Sequence, residues 1–444
     1  MHRRSFLTRA GALAALSALG PFSSRASTAG DYKALVCIFL YGGNDSNNMI
    51  VPIDAAGYAN YAKLRSTIAL PLDQLLPLAG SGTAQYGLHP ALTGLQSLYK
   101  TRNLAIVANV GTLVEPLTKS QYLSPSTIKP DNLFSHIDQQ HQWEASLSDT
   151  PSLTTGWGGR LIDQLTSFNA TASVPPMISA GGNNLFVTAA DSQALVIPAT
   201  GPFILEGFSN GSADVVRRSA LVQLLGIDQR DALTKAAQNI MTGALSASAI
   251  LNPILTGPSP TLESYFAGLT SNFSEQLLAI AKVIQAREQL GTRRQVFLAT
   301  LGSFDTHTNQ LDRQQALFAD LDPALSAFCA AMAGIGAGNS VTSFTLSDFS
   351  RTFLPNTGGG TDHAWGSHQI VVGGAVRGGQ MYGKMPALEI GGPDDAGDEG
   401  RWIPTIAVDQ YAATLSTWLG ASQTELASVL PNLGAFSPST LGFV

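Results

Sequence analysis

Charged residues are scarce in this chain, and acids outnumber bases among them. Of its 444 residues 13% are charged, with 25 Lys and Arg against 31 Asp and Glu, a formal net charge of −6. Without the first 29 residues the bases fall to 21 while the acids stay at 31, so the charge becomes −10. Because the phosphates of nucleic acids require a basic protein surface, this composition argues against nucleic acid as a partner.

Cysteine and several catalytic motifs are also scarce or absent. The two cysteines, Cys37 and Cys329, do not belong to a CxxC pair. A disulfide or a metal thiolate is the functional alternative, but we interpret both as small buried apolar side chains. Neither GxxxxGK[ST] nor HExxH occurs, which disfavours a P-loop NTPase and a zincin. Beyond the N-terminal segment no apolar run is long enough for a transmembrane helix, so we expect no stable membrane span.

The N-terminal segment has the pattern of an export signal. Arg3 and Arg4 form a twin-arginine pair, and the apolar stretch 10–19 behind them is too short to cross a bilayer. Small residues at 24–26 or 27–29 offer cleavage positions. A membrane-anchoring or amphipathic helix is the alternative. We expect residues 1–29 to be a twin-arginine signal peptide, the twin-arginine translocase to be a partner during export, and the mature protein to be periplasmic or secreted.

Continuous apolar runs predict buried strands in the remaining chain, residues 30–444. These runs are 33–41, 104–110, 294–300, 341–347 and 368–374. Runs of this kind are typical of strands that are covered on both faces. Helical patterns such as 310–334 lie between strands, and a repeated strand–helix–strand order predicts a doubly wound, mostly parallel α/β sheet. Residues 171–290 are expected to form a mixed α/β insertion or cap over the carboxyl edge of that sheet.

Three of the predicted strands end in loops that carry aspartate. Asp45 follows the first strand, Asp305 and His307 follow the third, and Asp348 follows the fourth. The carboxyl ends of parallel strands meet at one crevice, where ligands bind. Carboxylate and imidazole are ligands of divalent cations, so the pattern predicts a metal site. The alternative is that Asp45 and Asp305 only cap helices.

The loop after the fourth strand and one predicted helix add further candidates. The loop contains Arg351, which could clamp an anionic group or form a surface salt bridge, and then Asp362, His363 and His368. Of the six histidines beyond residue 29, three are in this loop or beside Asp305, at 307, 363 and 368. Ser135 opens a predicted helix at 135–145. Because helix N-terminal amides favour negative charge, Ser135 is a candidate nucleophile, with an ordinary N-cap as the commoner alternative.

These segments together resemble a large bacterial family of twin-arginine-exported proteins of unknown function, which is grouped with the alkaline phosphatase and sulfatase superfamily. The resembling segments are FLYGGNDSNN at 39–48, GLHP at 87–90, FSHIDQ at 134–139, GWGGR at 156–160, FDTH at 304–307, DFSRT at 348–352 and GGTDH at 359–363. They follow one another over almost the whole mature chain.

The superfamily resemblance implies an alkaline phosphatase-like fold and a hydrolase that holds two metal ions. Transferred to this sequence, Asp45 and Asp348 would hold one ion beside a nucleophile at Ser135. The second ion would be held by the other strand-end aspartate and two histidines, and further ligands are possible. The residues of the second ion are Asp305, His307 and His363, and the possible additional residues are Asp362, His368, His136 and His89. The sequence departs from the phosphatases at Phe349, where they carry histidine, and it lacks the Cys/Ser-x-Pro-x-Arg segment of sulfatases.

Two functions follow from the sequence. The first, which we favour, is an exported hydrolase of phosphate or sulfate esters that uses two divalent ions (Zn, Mn, Mg or Ca) on a small anionic ester. Ser135 or a water molecule would be its nucleophile, with Arg351 as a catalytic residue. The second is a non-catalytic periplasmic binding or assembly protein that keeps a degenerate alkaline phosphatase-like site.

Overall fold

The computed structural model describes residues 31–79, 85–149, 154–205, 207–208, 211–228 and 231–444. The expected signal peptide, residues 1–29, lies outside these ranges. Tyr32–Val444 forms one compact unit. Its strands are β1 (Lys33–Leu40), β2 (Ile50–Pro52), β3 (Leu76–Pro77), β4 (Tyr86–Leu88), β5 (Leu104–Gly111), β6 (Met177–Ser179), β7 (Ala194–Val196), β8 (Arg294–Leu301), β9 (Val341–Ser347), β10 (Ser367–Val372), β11 (Met381–Tyr382) and β12 (Ile406–Ala407).

Helices connect most of these strands. They are α1 (Ser46–Met49), α2 (Ala55–Arg65), α3 (Thr93–Lys100), α4 (Lys119–Leu123), α5 (His136–Ala145), α6 (Trp157–Gln164), α7 (Ser212–Leu225), α8 (Ala232–Thr256), α9 (Pro260–Tyr265), α10 (Asn272–Gln285), α11 (Arg287–Leu290), α12 (Gln310–Gly334), α13 (Val408–Leu419) and α14 (Gln423–Val429). Short 3₁₀ turns lie at Ser66–Ile68, Leu72–Gln74, Thr166–Asn169, Leu185–Val187, Gly338–Ser340 and Pro431–Ala435.

A nine-stranded sheet lies at the centre of the described chain. Its order is β11-β5-β10-β9-β1-β8-β6-β7, and β12 pairs with β5 outside this path. β1 pairs in parallel with β8 and β9, and β6 pairs in parallel with β7 and β8. The expected fold class, a mixed α/β fold with a large and mostly parallel sheet, is therefore confirmed. A smaller antiparallel sheet has the order β2-β4-β3.

The strand β10 runs against its neighbours. It pairs antiparallel with both β5 and β9, although the sequence pattern suggested that it continued the parallel series. The reason is the connection from β9, residues 348–366, which contains no helix. Parallel neighbours need a long crossover, usually helical, whereas a direct return makes strands antiparallel. The whole 348–366 connection therefore stays at the carboxyl edge of the parallel strands.

Both faces of the sheet are buried, as the continuous apolar run of β1 predicts. Its even-numbered residues from Ala34 to Leu40 belong to the hydrophobic cluster that contains α10 and α12. Its odd-numbered residues from Leu35 to Phe39 belong to the cluster on the other face, with α6 and α13. Cys37 is buried here and Cys329 is half-buried on α12; both are free thiols, so they form no disulfide.

The core helix α12 is also long and apolar enough to cross a membrane by length and composition alone, and it alone passes that test among the described residues. Half of its apolar window is buried in the protein. Its Asp322 accepts hydrogen bonds from the Gly94 and Leu95 amides, at 2.9 and 2.8 Å, at the start of α3. α12 thus contacts α3, and its apolar residues pack in the same hydrophobic cluster as β1.

Residues 171–290 contribute to the sheet as well as to its surroundings. β6 and β7 extend the sheet beside β8, and α10 covers one of its faces. In contrast, α7 and α8 are largely exposed and carry apolar side chains such as Val216 and Leu233 at their surface. The description of the whole segment as an insertion or cap remains a prediction.

Candidate metal site

The aspartates that were predicted from strand ends lie at one edge of the sheet. The last residue of β1, Leu40, is in register with Leu301 of β8 and with Ser347 of β9. Asp45, Asp305 and Asp348 therefore all follow the carboxyl ends of adjacent parallel strands. His363 lies in the connection that returns to β10 at the same edge.

Three histidine rings surround one oxygen of Asp305. The Oδ1 atom of Asp305 lies 2.9 Å from Nε2 of His307 and 3.5 Å from Nε2 of both His136 and His363. The Nε2 atoms of His307 and His363 are 3.0 Å apart. His136, Asp305 and His363 each offer a ligand atom within 4.8 Å of the others. We call Asp305, His136, His307 and His363 the Asp305 cluster.

The opposite nitrogen of each ring is held by an acceptor. Nδ1 of His136 donates to Asp348 Oδ2 at 2.7 Å, and Nδ1 of His307 donates to Asp362 Oδ1 at 2.8 Å. Nδ1 of His363 donates to the carbonyl of Phe134 at 2.8 Å. When a ring is neutral with its proton on Nδ1, its Nε2 carries a lone pair, and in this form the three Nε2 lone pairs face the centre. Histidines that bind metals in proteins are held in this way.

The donor set of the Asp305 cluster fits a divalent cation. Lone pairs that face each other at 3.0 Å repel unless a proton or a cation lies between them. The Nε2 atom of His136 is buried and has no hydrogen-bond partner among the described residues. The Asp305 side chain is 43% exposed and that of His307 41%, so one side of the cluster is in contact with solvent. Three imidazoles with one carboxylate are typical of zinc and related transition ions.

Electrostatics keep the carboxylate of the cluster ionised. Burial alone would raise the pKa of Asp305, but the Arg351 hydrogen bond and charge, with His307 and His136, hold this pKa below its usual value. The hydrogen bond to Asp348 raises the pKa of His136. Burial lowers the pKa of His363, which favours its neutral, metal-binding form.

Arg351 is buried and bonded to other groups of the protein. Its side chain is fully buried, and its Nη1 donates to Asp305 Oδ1 at 2.7 Å and to the Gly42 carbonyl at 3.2 Å. The remaining donors bind the hydroxyl and the carbonyl oxygen of Thr361. The guanidinium therefore holds Asp305 in place, and the expected role of Arg351 as an anion clamp or catalytic residue remains a prediction.

Asp45 is close in the fold but is not brought into the Asp305 cluster. Its Oδ2 atom accepts from Arg65 and from the Gln310 amide, and its Oδ1 accepts from the Asn47 backbone amide at 3.1 Å. The Arg65 and Asp45 side chains are both fully buried. This is a structural ion pair and a helix cap, so the structure gives no support to the expected role of Asp45 as a metal ligand.

Asp348 also accepts its hydrogen bonds from protein donors. Its Oδ1 accepts from the Gly42 amide at 2.9 Å, and its Oδ2 accepts from His136 and from the Gln140 amide at 2.6 Å. Gly42 has φ +108°, and a Cβ there would lie 2.4 Å from the Asp305 amide nitrogen. Only glycine allows this close approach of two loops. Asp348 thus orients a histidine instead of facing the centre itself.

Ser135 precedes His136 as the N-cap residue of α5. Its hydroxyl donates to Asp138 Oδ2 at 2.5 Å, one turn along the same helix. The hydroxyl thus has a local partner outside the Asp305 cluster, and its role as a nucleophile remains a prediction.

Two further candidates, His89 and His368, are core histidines. Nδ1 of His89 accepts from the Ala91 amide at 3.1 Å, and Nδ1 of His368 accepts from the Asn109 amide at 3.0 Å. Burial lowers the pKa of each to about 4. Neither belongs to the Asp305 cluster.

Sequence reasoning named His136 only as an additional candidate and missed Glu144 on the same face of α5. His136, Gln140 and Glu144 are spaced four residues apart and so share one face of the helix. Glu144 is buried and accepts from the Asn184 amide at 2.7 Å and from the Tyr41 hydroxyl at 3.0 Å. Burial raises its pKa to about 7. The four-residue spacing was the available signal, but only the fold shows which face of α5 meets the sheet edge.

Comparison with solved structures finds distant similarity. The PsFucS1 sulfatase from a Pseudoalteromonas species is 10% identical, with 89% of this chain and 69% of that chain covered at a TM-score of 0.35. The lipoteichoic acid synthase LtaP from Listeria monocytogenes is 8% identical, with 90% and 77% covered at a TM-score of 0.33. A mutant of the alkaline phosphatase PafA is 11% identical, with 73% and 64% covered at a TM-score of 0.25. At such scores the chemistry of the site rests on its own residues.

Sequence comparison gives a clearer result. No curated protein matches the chain significantly. One family model matches residues 32–395, which is most of the chain and spans every residue of the Asp305 cluster. The expected membership of a family of unknown function is therefore confirmed: the chain belongs to the family described as "Protein of unknown function (DUF1501)".

Proposed function

We propose that the protein is an exported, metal-dependent hydrolase of phosphate or sulfate esters. One observation carries the proposal: three imidazole Nε2 atoms converge on Asp305 Oδ1, at 2.9, 3.5 and 3.5 Å, while each Nδ1 is held by an acceptor. Preorganised lone pairs around a partly exposed carboxylate support metal binding better than a packing role.

The nature of the donors narrows the choice of metal. Imidazole suits Zn²⁺ and other transition ions, whereas Mg²⁺ and Ca²⁺ prefer oxygen ligands. Among the four expected metals we therefore favour Zn²⁺ and then Mn²⁺. When bound, such an ion supplies Lewis-acid stabilisation of the negative charge that develops on the ester oxygens.

The chain's own residues hold and orient the site. Asp348, Asp362 and the Phe134 carbonyl fix the three rings, and Arg351 keeps Asp305 ionised and in place. In the net reaction a water oxygen bonds to phosphorus or sulfur, the bond to the ester oxygen breaks, and the alcohol leaves with a proton. We favour water over Ser135 as the nucleophile because the serine hydroxyl donates to Asp138.

A panel of phosphomonoesters, phosphodiesters and sulfate esters tests this proposal with the purified protein and Zn²⁺, Mn²⁺, Mg²⁺ or Ca²⁺. We expect turnover of at least one ester class with Zn²⁺ or Mn²⁺, its loss with a chelator, and its recovery when metal is restored. His141 is exposed on the same helix as His136, so His141→Ala is a matched control that keeps activity. Absence of turnover with every ester and metal would contradict the proposal.

The alternative is a non-catalytic binding or assembly protein with a degenerate site. One observation supports it, the contact of Arg351 with Asp305. A guanidinium already supplies positive charge at 2.7 Å from the carboxylate. Metal analysis of the purified protein separates the two functions. Less than about half an equivalent of any divalent metal would favour the binding protein.

Export is proposed from the sequence of residues 1–29. These residues fused to a reporter that works only in the periplasm should give a signal that depends on the twin-arginine translocase. Arg3→Lys combined with Arg4→Lys should abolish that signal. A signal that survives the double substitution would contradict this route.

A further inference from the structure

The two aspartates that the resemblance assigns to the metal ion beside Ser135 are buried and already bonded to protein donors. Asp45 and Asp348 are 1% and 0% exposed. Asp45 accepts from Arg65, Gln310 and a backbone amide, whereas Asp348 accepts from His136, Gln140 and another backbone amide. Each carboxylate therefore has three of its roughly four acceptor positions occupied by the protein, and neither is exposed to solvent.

We propose that the protein binds one divalent ion instead of two, in the Asp305 cluster, with His136 as a ligand and Asp348 as the residue that positions it. Arg65 takes the place of the second cation beside Asp45. This inference rests on the proposed metal-dependent function and specifies the composition of its site. In this inference His136 is a metal ligand, whereas Asp45 and Asp348, which the resemblance implied as ligands, do not bind the metal.

His136 is assigned as a ligand because of its unsatisfied nitrogen. Nδ1–H of His136 donates to Asp348, so the neutral ring has its lone pair on Nε2, 3.5 Å from Asp305 Oδ1. That nitrogen is buried without a hydrogen-bond partner in the described part of the chain. An ion or a water molecule can satisfy a buried nitrogen of this kind. A cation shared with Asp305 and His363 would satisfy it.

Arg65 argues against a second ion near Asp45. Its guanidinium is fully buried, and besides Asp45 it donates to Asn48 Oδ1 at 3.1 Å and to the carbonyls of Thr352 and Phe353, both at 3.0 Å. All of these contacts hold the positive charge at one place. A divalent cation on the same carboxylate would meet strong repulsion in a buried site.

No other group of three or more His, Cys, Asp or Glu side chains has metal-binding geometry among the described residues. The carboxyl edge thus has one open, histidine-rich centre and one closed ion pair. In this proposal the cation binds at the Asp305 cluster, and Arg65 supplies the positive charge beside Asp45.

Metal counting on the full protein tests the number of ions. After removal of metal, titration with Zn²⁺ or Co²⁺ should saturate at one equivalent. The double variant Asp45→Asn with Arg65→Gln removes both charges of the buried pair and should still bind one equivalent, even if it is less stable. Two equivalents bound to the wild type, or loss of binding in this double variant when it is folded by circular dichroism, would overturn the inference.

The visible absorption of bound Co²⁺ tests the two roles separately. His136→Gln should change the Co²⁺ spectrum because a ligand is replaced. Asp348→Asn should keep the wild-type spectrum but weaken binding by about 10-fold, since only the orientation and charge behind the ligand change. An unchanged spectrum in His136→Gln, or a changed coordination in Asp348→Asn, would overturn the assignment.

Failure of this inference and failure of the proposed function are distinguishable. Ester hydrolysis with two bound ions would overturn the single-ion site alone. One bound ion without hydrolysis of any ester would overturn the hydrolase and support the single-ion site. A wild-type protein that binds no divalent ion would overturn both.

Discussion

Asp45 and Asp305 occupy equivalent positions after neighbouring parallel strands, but their surroundings differ. Asp45 is buried against the guanidinium of Arg65 and the amide of Gln310. Asp305 is 43% exposed, and three imidazole rings face it. The difference arises from what packs over each strand end: α2 and α12 cover Asp45, whereas α5 and the loops at 302–309 and 348–366 surround Asp305.

This comparison shows that an aspartate after a strand is not by itself a ligand. A carboxylate paired with a fixed guanidinium acts in stability, because breaking a buried pair leaves an uncompensated charge. Asp305 also pairs with a buried guanidinium, that of Arg351, but it is partly exposed and faces three imidazole rings, so it is available to a cation. Substitution of Asp45 should therefore lower mainly stability, and substitution of Asp305 should lower mainly metal affinity.

The largest effect is expected from Asp45→Asn. Loss of the carboxylate leaves the buried Arg65 charge unpaired, which should lower the free energy of unfolding by about 3–5 kcal/mol. Chemical denaturation of the metal-free protein measures it. Asp305→Asn is the matched substitution: it also removes the partner of a buried guanidinium, that of Arg351, but Asp305 is 43% exposed, so stability should fall less than in Asp45→Asn. Equal losses of stability would remove the distinction between the two aspartates.

His363→Ala tests the open centre directly. It removes a ligand, so metal affinity should fall by more than the roughly 10–100-fold expected for an outer partner, and activity should fall with it. Isothermal titration with Zn²⁺ measures the affinity. His368→Ala lies outside the Asp305 cluster and should lose less of both. Equal and small effects of the two substitutions would indicate that the loop only packs, and would favour the binding protein.

Asp362→Asn tests an outer partner of the centre. It weakens the hold on Nδ1 of His307, so Zn²⁺ affinity should fall by about 10–100-fold without loss of stoichiometry. Asp138→Asn is a suitable control, because Asp138 binds Ser135 and does not contact the cluster. If Asp138→Asn weakens metal binding as strongly, the orienting role of Asp362 is wrong.

Glu144 adds a third environment to the comparison of Asp45 with Asp305. Its carboxyl group is buried and its hydrogen-bond donors are all neutral. Burial raises its pKa to about 7, above the unfolded value of about 4.3, so the folded state holds the proton more tightly between these values. Stability should therefore fall as pH rises from about 4.3 to 7, and then level off. Glu144→Gln should reduce this fall by on the order of 1 kcal/mol.

Denaturation at pH 5 and pH 8 measures this smallest effect as a difference between the variant and the wild type. Asp409, whose pKa burial also raises to about 7, contributes the same slope to both proteins and cancels. An identical decline in the variant and the wild type would mean that Glu144 ionises like an exposed carboxyl.

The sequence predicted the sheet and the edge at which the candidate site lies. Both faces of the sheet are buried, which requires continuous apolar runs in its strands. For this reason the sequence predicted the strands at 33–41, 104–110, 294–300 and 341–347. The helix at 310–334 between two of them predicted parallel pairing, since parallel strands need a long connection. From these two features the shared location of Asp45, Asp305 and Asp348 followed.

Only the tertiary structure decided the partners of each aspartate and the direction of β10. Arg65 lies 20 residues from Asp45 and Gln310 lies 265 residues from it, and no local pattern indicates that both meet the same carboxylate. His136 reaches Asp305 from a helix 169 residues away. Apolar periodicity is set by burial and can be read locally, but the choice between ion pair and open ligand depends on which distant side chains the packed helices bring to a strand end.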